Sequence, residues 1–230
     1  MNRRYNIVVV GGGVTGLMAA TLLAKGSQRD ALNITLVDAA PRPVFSPDDD
    51  VALRVSAIAT GTAELFASVG AWEYTAATRV GPYTSMRIWD ESDTPESAAA
   101  LRFSADEFAI SQLGFIVENV LLQDVLLYQL DRTDTTLKFE SSIGRLRRTA
   151  RHYELDLASG ESLTADLVVG ADGARSFVRS AVGIETNEWP YEQTAFVTHL
   201  RPEKAHGGAA LQRFLRDGPL GILPLQDGRV

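Results

Sequence analysis

The chain has 230 residues, enough for one large domain or two small ones. Hydrophobic residues at 45% and charged residues at 22% are the balance of a soluble globular protein, and a formal net charge of −7 speaks against a nucleic-acid binder. With no cysteine, disulfides, thiolate metal sites and thiol nucleophiles are excluded, a composition compatible with a reducing cytoplasm. Met1–Asn6 is too short for a signal peptide, and no apolar run later in the chain approaches the length of a membrane span.

Ile7-Val8-Val9-Val10 predicts a buried strand, and a glycine run follows at once. Gly11, Gly13 and Gly16 fit the G-x-G-x-x-G spacing and open a helix through Leu17–Ala24. In that pattern the first glycine makes the tight turn, the second lets a pyrophosphate approach the backbone, and the third lets the helix lie close to the sheet. The helix start adds unpaired N–H groups and the positive end of a dipole. A second strand, Asn33–Val37, ends in Asp38, about twenty residues past the loop, where such a unit places an acid on the adenosine ribose. The acid disfavours a 2′-phosphate and leaves NAD and FAD both open; a plain βαβ unit without nucleotide is the alternative.

The next stretch, Ala39–Asp50, carries three prolines and three consecutive aspartates and reads as a solvated loop rather than a metal site. Arg54 sits in the apolar run Val51–Ile58, where a buried guanidinium would need an anion; a structural salt bridge and a ligand phosphate both satisfy that need. Ala63, Phe66, Ala67 and Gly70 have helical spacing. Tyr83–Asp90 alternates as a half-buried strand with Ala100–Phe103 as its neighbour, an inserted hairpin. Phe115–Asn119 leads into a helix over Val120–Leu130 whose apolar positions nearly encircle it, which predicts burial. Short strands follow at Leu137–Phe139 and Ser142–Arg148, then a hairpin over Tyr153–Thr164 turning at Ser159-Gly160. The arginines at 145, 147, 148 and 151 read as a solvated edge.

Asp166–Arg179 is the second informative stretch: a short strand, a loop with Gly170, Asp172 and Gly173, and a helix from Ser176. Asp172 could be simply a helix cap. Beyond Gly183, strands are predicted at Thr194–Leu200, Ala209–Leu215 and Leu220–Leu225, with Asp217-Gly218 as a hairpin turn. His152, His199 and His206 are isolated in sequence, and neither a catalytic triad nor a metal constellation is visible, so no catalytic side chain is assigned.

Taken together, Gly11-x-Gly13-x-x-Gly16 and Asp172-Gly173-x-x-Ser176-x-x-Arg179 resemble the flavoprotein aromatic hydroxylases of the p-hydroxybenzoate hydroxylase fold. Leu53–Ile58, Val69–Trp72, Met86–Asp90, Val117-Glu118-Asn119 and Val169–Ala174 narrow the resemblance to the ubiquinone-biosynthesis hydroxylases. It implies an α/β fold: a Rossmann-like FAD-binding domain from residues 1–77 and 105–182, with an inserted β-rich substrate domain from 78–104 and 183–230. By position, Gly11, Gly13 and Gly16 would hold the FAD pyrophosphate and Asp38 the ribose. Arg54 would reach the phosphates, Glu118 would lie by the ribityl chain through its backbone, and Asp172 would belong to the pyrophosphate side.

The implied activity is hydroxylation of a polyprenylated phenol or quinol precursor of ubiquinone, with NAD(P)H as transient reductant and O2 activated as a flavin C4a-hydroperoxide. Another flavin enzyme of the same fold, a reductase or halogenase, is the rival, as is a non-catalytic nucleotide-binding module in a biosynthetic assembly. Implied partners are the polyprenylated substrate and other ubiquinone-biosynthesis proteins. The expected location is cytoplasmic, with a peripheral membrane position as the alternative. The Gly-Asp segment that closes over the flavin in this family is absent from the 230 residues, which predicts little bound FAD and no hydroxylation by this chain on its own.

Overall fold

The structure, a computed structural model, describes residues 4–230, so Met1–Arg3 of the opening segment lie outside the described residues. In chain order the elements are β1 (Tyr5–Val10), α1 (Val14–Lys25), β2 (Leu32–Val37), β3 (Val55–Ala59), α2 (Thr60–Ser68) and α3 (Trp72–Thr78). Next come β4 (Val80–Tyr83), β5 (Ser85–Asp90), β6 (Leu101–Ser104), β7 (Gly114–Glu118), α4 (Asn119–Leu130) and β8 (Thr136–Lys138). The chain continues with β9 (Ile143–Arg148), β10 (Tyr153–Leu157), β11 (Ser162–Ala165), β12 (Leu167–Gly170), α5 (Phe177–Ala181), β13 (Ala209–Leu215) and β14 (Gly218–Ile222). They divide between two compact units.

The first unit comprises Met1–Phe45, Val69–Ala71 and Val120–Glu188. Its main sheet is parallel, in the order β12-β1-β2-β8, with β1 in register with β2 from Tyr5↔Leu32 to Val10↔Val37. Ile7 to Val10 are all buried, as a central parallel strand covered on both faces requires. Val8, Val10 and Val37 pack with Leu155, Leu157 and Ala165 of an antiparallel sheet ordered β11-β10-β9. Alternation turns Ile7 and Val9 to the other face, and α1 packs on β1 and β2. The expected burial of α4 holds: Leu121, Leu122, Val125, Leu126, Leu127 and Leu130 are all buried. At the outer strand β9, Arg145, Arg147 and Arg148 are exposed and Arg147 is ion-paired with Glu154, a solvated edge as the sequence reads.

The second unit comprises Ser46–Ser68, Trp72–Asn119 and Trp189–Val230. It holds an antiparallel sheet ordered β3-β7-β4 and a mixed sheet ordered β14-β13-β5-β6. The expected pairing of β5 with β6 is present, from Ser85↔Ser104 to Ile88↔Leu101. The β13–β14 hairpin turns through Arg216-Asp217, one residue before the expected Asp217-Gly218, and Gly218 at φ +137° already pairs with Leu215. Trp72 stacks edge-on against Phe115, centroids 4.7 Å apart, and against Phe66. The partition places β3, α2, α3 and β7 with the mixed sheet, whereas the sequence reading groups them with the nucleotide fold.

Two expectations need correction. Thr194–Leu200 forms no strand: a single reciprocal pair of bonds, Leu200 with Val230, replaces a ladder, and Phe196 is 89% exposed. β-Branched composition favours extension, but a strand exists only where a partner supplies the hydrogen bonds. Arg54 is exposed rather than buried, because β3 begins only at Val55 and residues 51–54 form no regular element. The helix expected to finish near Gly70 is α2, which stops at Ser68 with Gly70 just beyond it at φ +74°, ahead of α3.

Candidate nucleotide site

The carboxyl ends of β1, β2 and β12 meet at the glycine loop, the end of a parallel sheet where ligands bind in doubly wound folds. The Gly11 N–H donates to the Val37 carbonyl at 2.8 Å, and the Ala171 N–H donates to the Val10 carbonyl at 2.7 Å. Gly11 is at φ +111°, and a Cβ there would lie 2.2 Å from the Ala171 carbonyl oxygen. A Cβ on Gly16 would lie 1.9 Å from the Gly11 carbonyl oxygen, so the third glycine lets α1 lie against the loop itself. Gly13 differs: a Cβ on it would meet nothing within 4 Å. It caps α1 at φ −70° with no side-chain bond to the first-turn amides. Steric need inside the protein explains two glycines, and open space in front of a helix start remains for the third.

Asp38 ends β2 beside this space. The Gly12 N–H donates to one carboxylate oxygen and the Ala40 N–H to the other, the latter at 2.6 Å. Ionised, the carboxylate has about four acceptor positions, so both oxygens keep capacity for hydroxyl donors. Its backbone is fixed too: the Asp38 N–H donates to Lys138 at 2.9 Å and its carbonyl accepts from Ser141 at 2.8 Å. Gln123 of α4 donates through Nε2 to the Gly12 carbonyl at 2.9 Å. Sequence reading misses that contact, since nothing local marks one glutamine on a buried helix as a loop anchor.

Asp172 closes the far side. The Ser176 hydroxyl donates to its Oδ1 and the Val178 N–H to its Oδ2 at 3.1 Å, while Ser176 Oγ accepts from the Arg179 N–H at 3.0 Å. Asp172 and Ser176 thus cap α5 together. Burial pushes the Asp172 carboxyl up, but the Ser176 hydroxyl and backbone N–H donors outweigh it and hold the group below the ordinary carboxylate range. An open cleft of about 440 Å³ is lined by Gly11, Gly13, Asp38, Ser141, Asp172 and Phe177 among others. A larger cleft of about 540 Å³ lies at the amino ends of β2 and β8, beside Leu32 and Thr136, the wrong end of a parallel sheet for a dinucleotide.

Arg54 and Glu118 belong to the second unit. Arg54 has no carboxylate partner among the described residues, and its carbonyl accepts from the Asn119 N–H at 3.0 Å. Glu118 is 3% exposed; its Oε1 accepts from the Ala52 N–H at 2.8 Å, and its Oε2 lies 3.0 Å from Arg79 Nε. Its backbone lies in the β3–β7 ladder opposite Val55. His206 organises a turn, with Nδ1 accepting from the Gly208 N–H and Nε2 facing the Leu225 carbonyl, each at 3.1 Å.

A parallel sheet feeding a glycine turn, an open helix start and a carboxylate at the end of the second strand define a dinucleotide-binding protein of Rossmann type. The FAD binding domain family matches residues 4–206. The chain belongs to this family. It is 34% identical over 227 residues to 3-demethoxyubiquinol 3-hydroxylase of Escherichia coli, covering 98% of this chain and 56% of that one. Identity to the human ubiquinone biosynthesis monooxygenase COQ6 is 32% over 235 residues, covering 97% and 49%. The chain therefore spans about half the length of the curated relatives it matches. Among solved structures, Pseudomonas aeruginosa PqsL in complex with 2-aminobenzoylacetate superposes with a TM-score of 0.77 at 18% identity, covering 99% of this chain and 59% of that one. Klebsiella pneumoniae HpxO complexed with FAD gives 0.71 at 18%, covering 98% and 55%; both show the shared fold.

Proposed function

We propose that the protein is an FAD-dependent aromatic-ring hydroxylase acting on a polyprenylated phenol or quinol precursor of ubiquinone, with NAD(P)H and O2 as co-substrates. The observation that carries the FAD assignment is Gly13, whose backbone fronts open space at an uncapped helix start. Around it, Gly11 and Gly16 hold the turn, Asp38 presents acceptors to the ribose hydroxyls, and Asp172 fixes the start of α5 on the pyrophosphate side. Arg54, exposed and without a carboxylate, supplies a cation for the phosphates, and the Glu118 backbone serves the ribityl side. Residues 1–77 and 105–182 form the FAD-binding domain in this reading, and 78–104 and 183–230 contribute to the substrate domain.

The chemistry supplied by bound FAD is the passage of reducing equivalents from NAD(P)H to O2 and oxygen transfer to an electron-rich ring. The protein's own work is to bind, orient and keep water out, which agrees with the lack of an assigned acid, base or nucleophile. The names of the relatives support a ubiquinone-pathway substrate, and association with other proteins of that pathway is part of the same reading. Among the described residues no helix is long and apolar enough to cross a membrane.

The test adds FAD to the purified protein, in a version that includes the Gly-Asp segment this family closes over the flavin, and follows flavin fluorescence, then supplies NAD(P)H, O2 and a polyprenylated phenol. Saturable binding with a hydroxylated product supports the proposal. NAD(P)H oxidation yielding only hydrogen peroxide would favour the reductase reading, and no flavin binding would sink the FAD assignment.

A further inference from the structure

The cleft of about 540 Å³ at the amino ends of β2 and β8 lies wholly within the first unit, at the end of the parallel sheet away from the glycine loop. Its volume falls in the range of small-molecule sites, about 300–1,000 Å³. Four cations line it, Arg4, Lys25, Arg29 and Arg132, against two carboxylates, Asp30 and Asp134. In a chain of net charge −7, the cleft gathers the sign that the chain has less of.

These cations are placed without being neutralised. Arg132 lies over the Tyr128 ring, its Cζ 4.9 Å from the centroid, and Nη1 donates to the Tyr128 hydroxyl. The neighbouring Asp131 does not serve it, because both Asp131 oxygens accept from Arg42. Lys25 donates to the Val69 carbonyl at 2.7 Å and to Oε1 of Gln129, both uncharged. Arg29 meets Asp30 only at 3.8 Å, with both side chains exposed. Arg4 is exposed and has no carboxylate partner among the described residues. Elsewhere in the same unit basic side chains meet acids directly, as Arg147 meets Glu154 and Lys138 meets Glu161.

The carboxyl ends of α1 and α4 lie beside the cleft, and their dipoles favour cations at Lys25 and Arg132. That accounts for two of the four and leaves Arg4 and Arg29, which precede β1 and β2 and belong to neither helix. Like charges gathered around a concave space repel one another until an anion enters it. One carboxylate answers one guanidinium. A phosphate monoester carries about −1.5 to −2 charges and three acceptor oxygens, which suits several donors converging from different elements. Thr35 and Thr136, opposite each other in the β2–β8 ladder, add hydroxyl donors to the lining.

We infer that this cleft is a second anion site, which takes a phosphate group and is separate from the nucleotide site at the glycine loop.

The test titrates the 230-residue protein with inorganic pyrophosphate and follows backbone amide NMR shifts. A second arm measures sedimentation with phosphatidylcholine vesicles that contain or lack phosphatidylglycerol. Saturable shifts are expected at residues 29–36 and 132–136, apart from any at residues 11–13, which report the nucleotide site. The double variant Arg4→Gln/Arg29→Gln changes two exposed side chains and should weaken the binding about tenfold or more. Asp30→Asn/Asp134→Asn should strengthen it about threefold, a gain that damage to the fold does not produce.

Pyrophosphate shifts at the cleft that respond to both variants support the site and assign it a soluble phosphate compound. Phosphatidylglycerol-dependent sedimentation with the same response supports it and assigns a lipid headgroup. Shifts confined to residues 11–13 with no phosphatidylglycerol-dependent sedimentation would overturn the site, as would affinity unchanged in Arg4→Gln/Arg29→Gln. Either of those results leaves the FAD reading standing, because the glycine loop is probed by its own amides.

Discussion

The three glycines of one short motif answer to different forces, and substitution separates them. Gly11 is held by a positive φ and by the Ala171 carbonyl, so Gly11→Ala should cost more than about 2 kcal/mol of stability in urea unfolding. At Gly13 φ is −70° and a methyl group has room, so Gly13→Ala should fold with a cost of only about a few tenths of a kcal/mol from the weaker cap. The same methyl fills the space that a pyrophosphate would use, and FAD affinity should fall about tenfold or more. A Gly13→Ala protein with unchanged affinity would remove the loop from the site. Asp38 joins the two roles: its carboxylate already ties down Gly12 and Ala40, and the oxygens' remaining capacity faces the cleft. Asp38→Ala should therefore lose both stability, by about 1 kcal/mol, and FAD affinity, by about tenfold. Loss of stability alone would make Asp38 a loop anchor only.

At the level of elements, α5 shows a functional candidate that is also structural. Ser176→Ala removes the acceptor for the Arg179 N–H and a donor to Asp172, and should cost about 0.5–2 kcal/mol. Asp172 is held below its ordinary pKa of 3.8, so the folded state favours its charged form. Its contribution is complete above the unfolded value and is lost as pH falls through the folded one. Thermal melts should therefore fall more steeply below about pH 4 for the wild type than for Asp172→Asn; parallel curves would mean that the cap does not depend on charge. Local signals made several elements legible, namely the apolar run of β1, the encircled apolar surface of α4 and the Ser159-Gly160 turn of the β10–β11 hairpin. They do not reach pairing at a distance. Nothing near Ser85 announces that β5 lies parallel to β13, with Ser85 opposite Ala209, and nothing near Thr194 reports that its β-branched residues find no ladder. The exposure of Arg54 escapes sequence reading for a related reason, because an arginine between apolar residues looks buried until the strand is known to start one residue later.

On the scale of the molecule, each unit has a core of its own. Val8, Val10, Val37, Leu155 and Leu157 belong to the first, and Phe66, Trp72, Phe115 and Ile116 to the second. All three tryptophans, Trp72, Trp89 and Trp189, fall in the second unit, so tryptophan fluorescence reports that unit alone. Leu126 is 0% exposed on α4 in the first unit, and Leu126→Ala should destabilise that unit by about 2–5 kcal/mol through lost burial and the cavity left behind. In urea, hydrogen exchange at β1 and β2 should then reveal a transition moved down by about 1 M or more. The fluorescence transition of the second unit should move far less if each core melts on its own account. Midpoints that shift together would show one cooperative unit, in which case FAD bound at the glycine loop would stabilise every residue alike. Separate midpoints predict instead that FAD raises the transition seen at β1 and β2 more than the one seen by tryptophan.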